Sequence, residues 1–150
     1  MNQKNKLPTG PHQVELDSWI ALAPFENLLN MEIQTAASGK AVLTMPFLHE
    51  YSQGVGIMHG GAVTALADTA LAMAVKSLLP EGTHFGTTSL DIKLHRAVRQ
   101  GWITAHAEIT EQIERDLVGI VKVLDEEGEV VFSCSANFKI ARKQRNLQAE

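Results

Sequence analysis

A chain of 150 residues fits one domain, and a domain of this size buries roughly 70% of the surface its unfolded form exposes, so it needs no covalent staples. The one cysteine, Cys134, excludes an intramolecular disulfide framework; it sits in the apolar run VVFSCSANF with no neighbouring cation, so it reads as a buried strand thiol in a reducing setting. A formal net charge of −4 lacks the basic footprint that phosphate-backbone binding requires, which excludes nucleic acid as the expected partner.

Residues 1–11 are polar and broken by Pro8, Gly10 and Pro11, which reads as a flexible lead-in without the apolar core of a signal peptide. Between residues 12 and 29, Val14, Leu16, Trp19, Ile20 and Leu22 recur at roughly helical spacing until Pro24 interrupts them, which predicts a short leading helix and a turn. Two strands are expected over 31–37 and 41–46, joined by a tight hairpin at Ser38-Gly39-Lys40. A loop with Gly54 and Gly56 leads to a long apolar helix over 61–79, stopped by Pro80-Glu81-Gly82. Asp68 near its middle and Lys76 near its end argue against a membrane span and for a buried helix in a soluble protein.

Four further strands are expected over 85–95, 102–112, 117–125 and 130–140, the last two joined by a hairpin at Asp125-Glu126-Glu127-Gly128. In the first of them Thr88, Leu90, Ile92 and Leu94 alternate with Thr87, Ser89, Asp91 and Lys93, the pattern of a strand with one buried face. Strands, one helix, then strands imply an α+β fold in which a six-stranded antiparallel sheet curls around the helix. The expected domain covers 12–141, with a polar tail over 142–150.

The helix is apolar nearly all round, so Asp68 is a carboxylate inside a buried element. Such a group either has a chemical task or is held by Thr64, Thr69 or a backbone group of the sheet. His59-Gly60-Gly61 sits where the helix begins. Free N–H groups there point at negative charge, and glycine lets a substrate carbonyl come close; the alternative is a tight turn before a helix. Asp68 follows His59 by nine residues, which on a helix is roughly 13 Å and nearly the opposite side. One helix cannot bring both to one carbon. If both belong to one active site, the Asp of one subunit meets the His-Gly of another, in an obligate dimer with two equivalent sites.

His59-Gly60-Gly61-Ala62, then Leu66-Ala67-Asp68-Thr69-Ala70, then Ser89-Leu90-Asp91-Ile92-Lys93-Leu94-His95-Arg96-Ala97 resemble the hotdog-fold acyl-CoA thioesterases of the phenylacetate-degradation (PaaI-like) type. The resemblance runs from about residue 31 to 140. It implies a homodimer, often paired into a dimer of dimers, acting on acyl-CoA with no separate cofactor. It also implies that Gly60 N–H polarises the thioester carbonyl, that His59 helps orient the site, and that Asp68 of the partner subunit attacks or activates water. Ser89, or its neighbour Thr88, matches a hydroxyl that positions that water, and Gly61 belongs to the same substrate-binding turn. Where the family commonly has asparagine, six residues before the histidine, this chain has Gln53, either a water-orienting amide or a polar loop residue. The family's Arg-Pro appears as Arg96-Ala97; Arg96 and Lys93 are candidates for the CoA phosphates, or else lie on a solvated strand end.

Gly54-Val55-Gly56 lacks both the third glycine and the βαβ setting of a dinucleotide loop. The six histidines form no H-E-x-x-H pair and the lone cysteine no thiolate cluster, so no metal is expected; nor is there a Gly-x-Ser-x-Gly elbow. A thioesterase, a hotdog hydratase and a non-catalytic acyl-CoA binding module remain, and Asp68 in an apolar helix favours the first. The absence of a signal-like segment, with CoA as the implied partner, leads to the expectation of a cytoplasmic protein.

Overall fold

A computed structural model describes residues 7–142; the first six residues of the expected lead-in and nearly all of the expected tail lie outside it. Six strands form one antiparallel sheet: β1 Glu32–Ala37, β2 Lys40–Pro46, β3 Phe85–Leu94, β4 Trp102–Ile113, β5 Asp116–Leu124 and β6 Val130–Ile140. They lie in the order β1-β2-β4-β5-β6-β3, so β1 and β3 are the edges. The hotdog architecture is present, and every expected strand end falls within one residue of the observed one.

The first hairpin shows why. Ser38 and Gly39 both have positive φ (54° and 80°), the geometry of a two-residue primed turn whose twist matches the strands. A Cβ on Gly39 would also lie 3.1 Å from Leu78 Cδ1. Gly39→Ala is therefore expected to cost about 1–2 kcal/mol in urea denaturation, with little effect on a distant active site. The last hairpin is held by Asp125 Oδ1, which accepts from the N–H groups of Glu127 and Glu129.

The leading helix is corrected. No helix or strand forms between residues 7 and 23, and Pro24 opens α1 (Pro24–Leu28), where its missing N–H costs nothing. The segment before it is tied down by tertiary contacts. Trp19 Nε1 donates to Lys76 O at 2.9 Å and Lys76 Nζ donates to Trp19 O at 3.0 Å, with the ammonium 4.8 Å from the indole centroid. Burial in this clamp lowers the Lys76 pKa, opposed by Glu26.

The long helix, α2, runs Gly60–Lys76 and ends earlier than expected. Ser77 stops it by donating its hydroxyl to Ala74 O while accepting from Gly39 N–H, so a sheet turn decides where the helix ends. The helix packs mainly on β2, β4 and β5. Leu66, Ala70, Leu71 and Ala74 meet Leu43, Met45, Ile103, Val121 and Phe132, all fully buried or nearly so. Each large side chain buried there contributes roughly 1.5–3 kcal/mol. Burial is deepest on one broad side of the helix: Thr64, Ala65, Asp68, Thr69 and Ala72 are half-buried and Gly61 is exposed. Among the described residues no helix is long and apolar enough to cross a membrane.

Candidate active site

His59 is the N-cap of α2. Its φ of −59° and ψ of 130° take the chain from an extended loop into the helix. Its backbone N–H donates to Tyr51 O at 2.7 Å, and its Nδ1 accepts from Gly61 N–H at 2.8 Å. An imidazole whose Nδ1 accepts is neutral and carries its proton on Nε2, so the ring can offer a donor to a ligand from an exposed position. Gly61 has to be glycine in this turn, since a Cβ would lie 2.9 Å from His59 Nδ1.

With the Gly61 N–H taken up by its own cap, the next donor matters more. Gly60 N–H has no acceptor among the described residues. It stands at the positive end of a 17-residue helix and borders a cavity of about 330 Å³. The cavity is mostly apolar, with Met58, Val63, Leu94 and Val98 in its wall. Gln53 lines it too, from the loop after a short 3-10 helix (His49–Tyr51). The Gln53 carbonyl oxygen accepts from Val55 N–H, which leaves its amide nitrogen as the group a ligand could meet. At the rim lies Arg96, whose Nη1 is 3.4 Å from Glu129 Oε2. Both side chains are exposed, so this pair contributes at most about 1 kcal/mol and is readily exchanged for another anion.

Asp68 is not at this cavity. Two turns further along α2, it is half-buried, and its Oδ1 accepts from Thr87 Oγ1 at 2.9 Å. Of the supports expected for it, Thr64 Oγ1 donates instead to Gly60 O. Asp68 Oδ2 has no hydrogen-bond partner among the described residues.

Thr87 went unnoticed in the sequence because of a β-bulge. The register of β3 on β6 shifts between Thr87, opposite Phe138, and Ser89, opposite Asn137. Phe138 is buried towards the helix, so the extra residue puts Thr87 on the helix side, where strict alternation from Leu90, Ile92 and Leu94 had put Thr88. Thr88 Oγ1 instead donates to Asn137 O. Ser89 accepts from Asn137 Nδ2 at 2.7 Å, on the face turned away from the helix. Asp91 and Lys93 share that outer face. There Lys93 lines a larger depression of about 650 Å³, with His106, Ile120 and Lys122, that contains neither Gly60 nor Asp68. One chain therefore gathers Gly60, Gln53 and Arg96 at one place and Asp68 with Thr87 at another.

The expectation that β3 buries one face is also corrected. Its inner-face residues Leu90, Ile92 and Leu94 are 37%, 40% and 61% exposed, because β3 is an edge strand with no neighbour beyond it among the described residues. Cys134, opposite Ile92, is buried as expected. Burial pushes its thiol up, with the Asp68 and Asp91 carboxylates adding and a backbone hydrogen bond at Asp91 opposing.

A six-stranded antiparallel sheet around one long helix, with an open donor at the helix N-terminus, defines a hotdog-fold protein of the thioesterase kind. Residues 55–132 match the thioesterase superfamily, and the chain belongs to that family. It is 31% identical over 123 residues to a 1,4-dihydroxy-2-naphthoyl-CoA hydrolase of Listeria monocytogenes, covering 80% of this chain and 96% of that one. A variant of the phenylacetic acid degradation protein PaaI from Thermus thermophilus superposes with a TM-score of 0.72 at 26% identity, over 77% of this chain and 97% of that one. The E. coli PaaI protein superposes with a TM-score of 0.74 at 24% identity, over 80% and 86%, a likeness of fold.

Proposed function

We propose that the protein hydrolyses an acyl-CoA thioester, aryl or aliphatic, to the free acid and CoA at a site completed by two subunits. One observation carries this reading: Gly60 N–H is left without an acceptor at a helix N-terminus beside an apolar cavity, while the nearest free carboxylate oxygen on the same helix belongs to Asp68, away from that cavity. The exposed β3 edge, with Leu90, Ile92 and Leu94 uncovered, supports a homodimer in which the partner's strand continues the sheet. The outer depression around Ile120 and Lys122 is a second uncovered face, in keeping with pairing of dimers into a tetramer.

In this reading the acyl group enters the cavity with its carbonyl oxygen towards Gly60 N–H. His59 Nε2–H and the Gln53 amide are further donors near it. Asp68 of the partner subunit takes a proton from water as the water oxygen bonds to the carbonyl carbon, and the oxyanion forms against Gly60 N–H. Collapse breaks the C–S bond, and the CoA sulfur leaves with the proton returned from Asp68. Alternatively the Asp68 carboxylate attacks first, expels CoA and forms an anhydride that water cleaves. Neither route needs a separate cofactor or a metal. Arg96 exchanges Glu129 for a CoA phosphate; Lys93, on the outer face, could reach one only across the assembly. CoA as acyl carrier fits a cytoplasmic setting.

Release of free thiol from a panel of acyl- and aryl-CoA esters tests the reading, alongside the mass of the assembly in solution. Turnover of at least one ester by a dimer or tetramer is expected. Saturable binding without cleavage would replace it with a binding module, and a fully active monomer would remove the shared site.

A further inference from the structure

We infer that Glu129, a residue that no motif in the sequence singles out, competes with CoA for the Arg96 guanidinium and so sets how tightly the carrier end of the substrate is held. This positioning role rests on the CoA-ester reading above and adds what occupies Arg96 in the empty site and recaptures it when CoA leaves.

Arg96 stands at the rim of the apolar cavity, two residues past the end of β3, and its backbone N–H and that of His95 both donate to Val131 O, at 3.3 and 2.8 Å. Val131 itself lines the cavity, so the start of β6 fixes the rim. Glu129 precedes Val131 by two residues, in a hairpin closed twice: its N–H donates to Asp125 Oδ1 at 2.9 Å, and its carbonyl accepts from Asp125 N–H at 3.0 Å. The backbones of both partners are therefore held in place while their side chains remain at the surface. The neighbouring acids have other tasks, since Asp125 Oδ1 holds the turn and Glu126 Oε1 accepts from Trp102 N–H. It is Glu129 that meets Arg96.

The contact is of a kind that exchanges. Arg96 Nη1 and Glu129 Oε2 are 3.4 Å apart, longer than the roughly 2.7–2.9 Å of a charge-assisted hydrogen bond, and both side chains are more than half exposed. A guanidinium has five N–H donors in a fixed fork, so this single contact leaves most of it open, and a phosphate that engages two donors at once displaces the carboxylate. Displacing it subtracts the Arg96–Glu129 attraction from the affinity for phosphate. Substrate ester and product CoA carry the same phosphates, so the competition that loosens the ester also speeds the departure of CoA. A thioester without phosphate leaves the pair intact.

Glu129→Gln keeps the side chain's size and both backbone bonds of the hairpin and removes the charge. It is compared with wild type, Arg96→Gln, the double variant, and Glu127→Gln, which removes an equal charge from an exposed position on the same hairpin. KM and kcat are measured on the best CoA ester and on the pantetheine ester of the same acyl group, which carries no phosphate, together with product inhibition by CoA. Glu129→Gln is expected to lower both KM for the CoA ester and the inhibition constant of CoA by about two- to fivefold, the range of an exposed ion pair, and to leave the pantetheine ester unchanged. Arg96→Gln is expected to raise KM for the CoA ester, and in that background the gain from Glu129→Gln should vanish, because the competition is for that guanidinium.

An unchanged or raised KM for the CoA ester in Glu129→Gln would overturn the inference. So would an equal gain on the pantetheine ester, or the same gain from Glu127→Gln, which would make the effect one of general charge. If the wild type cleaves no ester, it is the thioesterase reading that fails; titration of CoA and pantetheine onto the same variants then decides the role of Glu129, with the same two- to fivefold tightening of CoA alone expected in Glu129→Gln and equal affinities overturning it.

Discussion

Asp68→Asn is expected to lower kcat for CoA-ester hydrolysis by about 100- to 10,000-fold with the fold intact. Asparagine keeps an oxygen that can accept from Thr87 Oγ1, so the one hydrogen bond recorded for Asp68 survives and the half-buried site loses only its charge and basicity. Thermal unfolding and assembly mass should therefore match wild type, and a thiol-release assay reads the chemical step alone. A variant that cleaves as fast as wild type would show that another group activates the water. Asp68→Ala is a poorer choice, since it also strands the Thr87 hydroxyl.

The second large effect comes from the backbone. Gly60 is the first residue of α2, and proline is well tolerated there, with φ already suited to a helix. The residue before a proline must be extended, and His59, at φ −59° and ψ 130°, already is. Gly60→Pro thus deletes one N–H and leaves the helix start in place, which should cost about 100- to 1000-fold in kcat if that N–H meets the oxyanion. Mixing the two dead variants is the sharper measurement. In dimers reassembled from equal amounts of Gly60→Pro and Asp68→Asn, half are mixed, and each mixed dimer regains one intact site if donor and carboxylate come from different subunits. Activity should rise to about a quarter of wild type. If subunit exchange is confirmed by mass and activity stays flat, the site does not span subunits.

Much of the fold could be read directly. Alternation and turn chemistry are local, so Ser38-Gly39 and Asp125-Glu126-Glu127-Gly128 marked their hairpins and the strand ends followed. Helical geometry is equally local, and the nine residues between His59 and Asp68 were enough to keep the two apart in one chain. Where a second element intervenes, local rules failed. Pro24 starts a helix instead of ending one, because the segment before it is held by Trp19 and Lys76 through contacts that span 57 positions. Helix α2 stops at Lys76 because Ser77 is engaged by the Gly39 turn.

The candidate site divides in the same way. Residue types and spacings along His59-Gly60-Gly61 and Asp68 belong to the sequence, because a helix start and its periodicity require nothing beyond the helix itself. Which hydroxyl reaches Asp68 and which face carries Ser89 were decided by tertiary structure. The physical reason is a single inserted residue in β3, fixed by pairing with residues of β6 about fifty positions away: it reverses the side-chain alternation and exchanges Thr88 for Thr87 beside the helix.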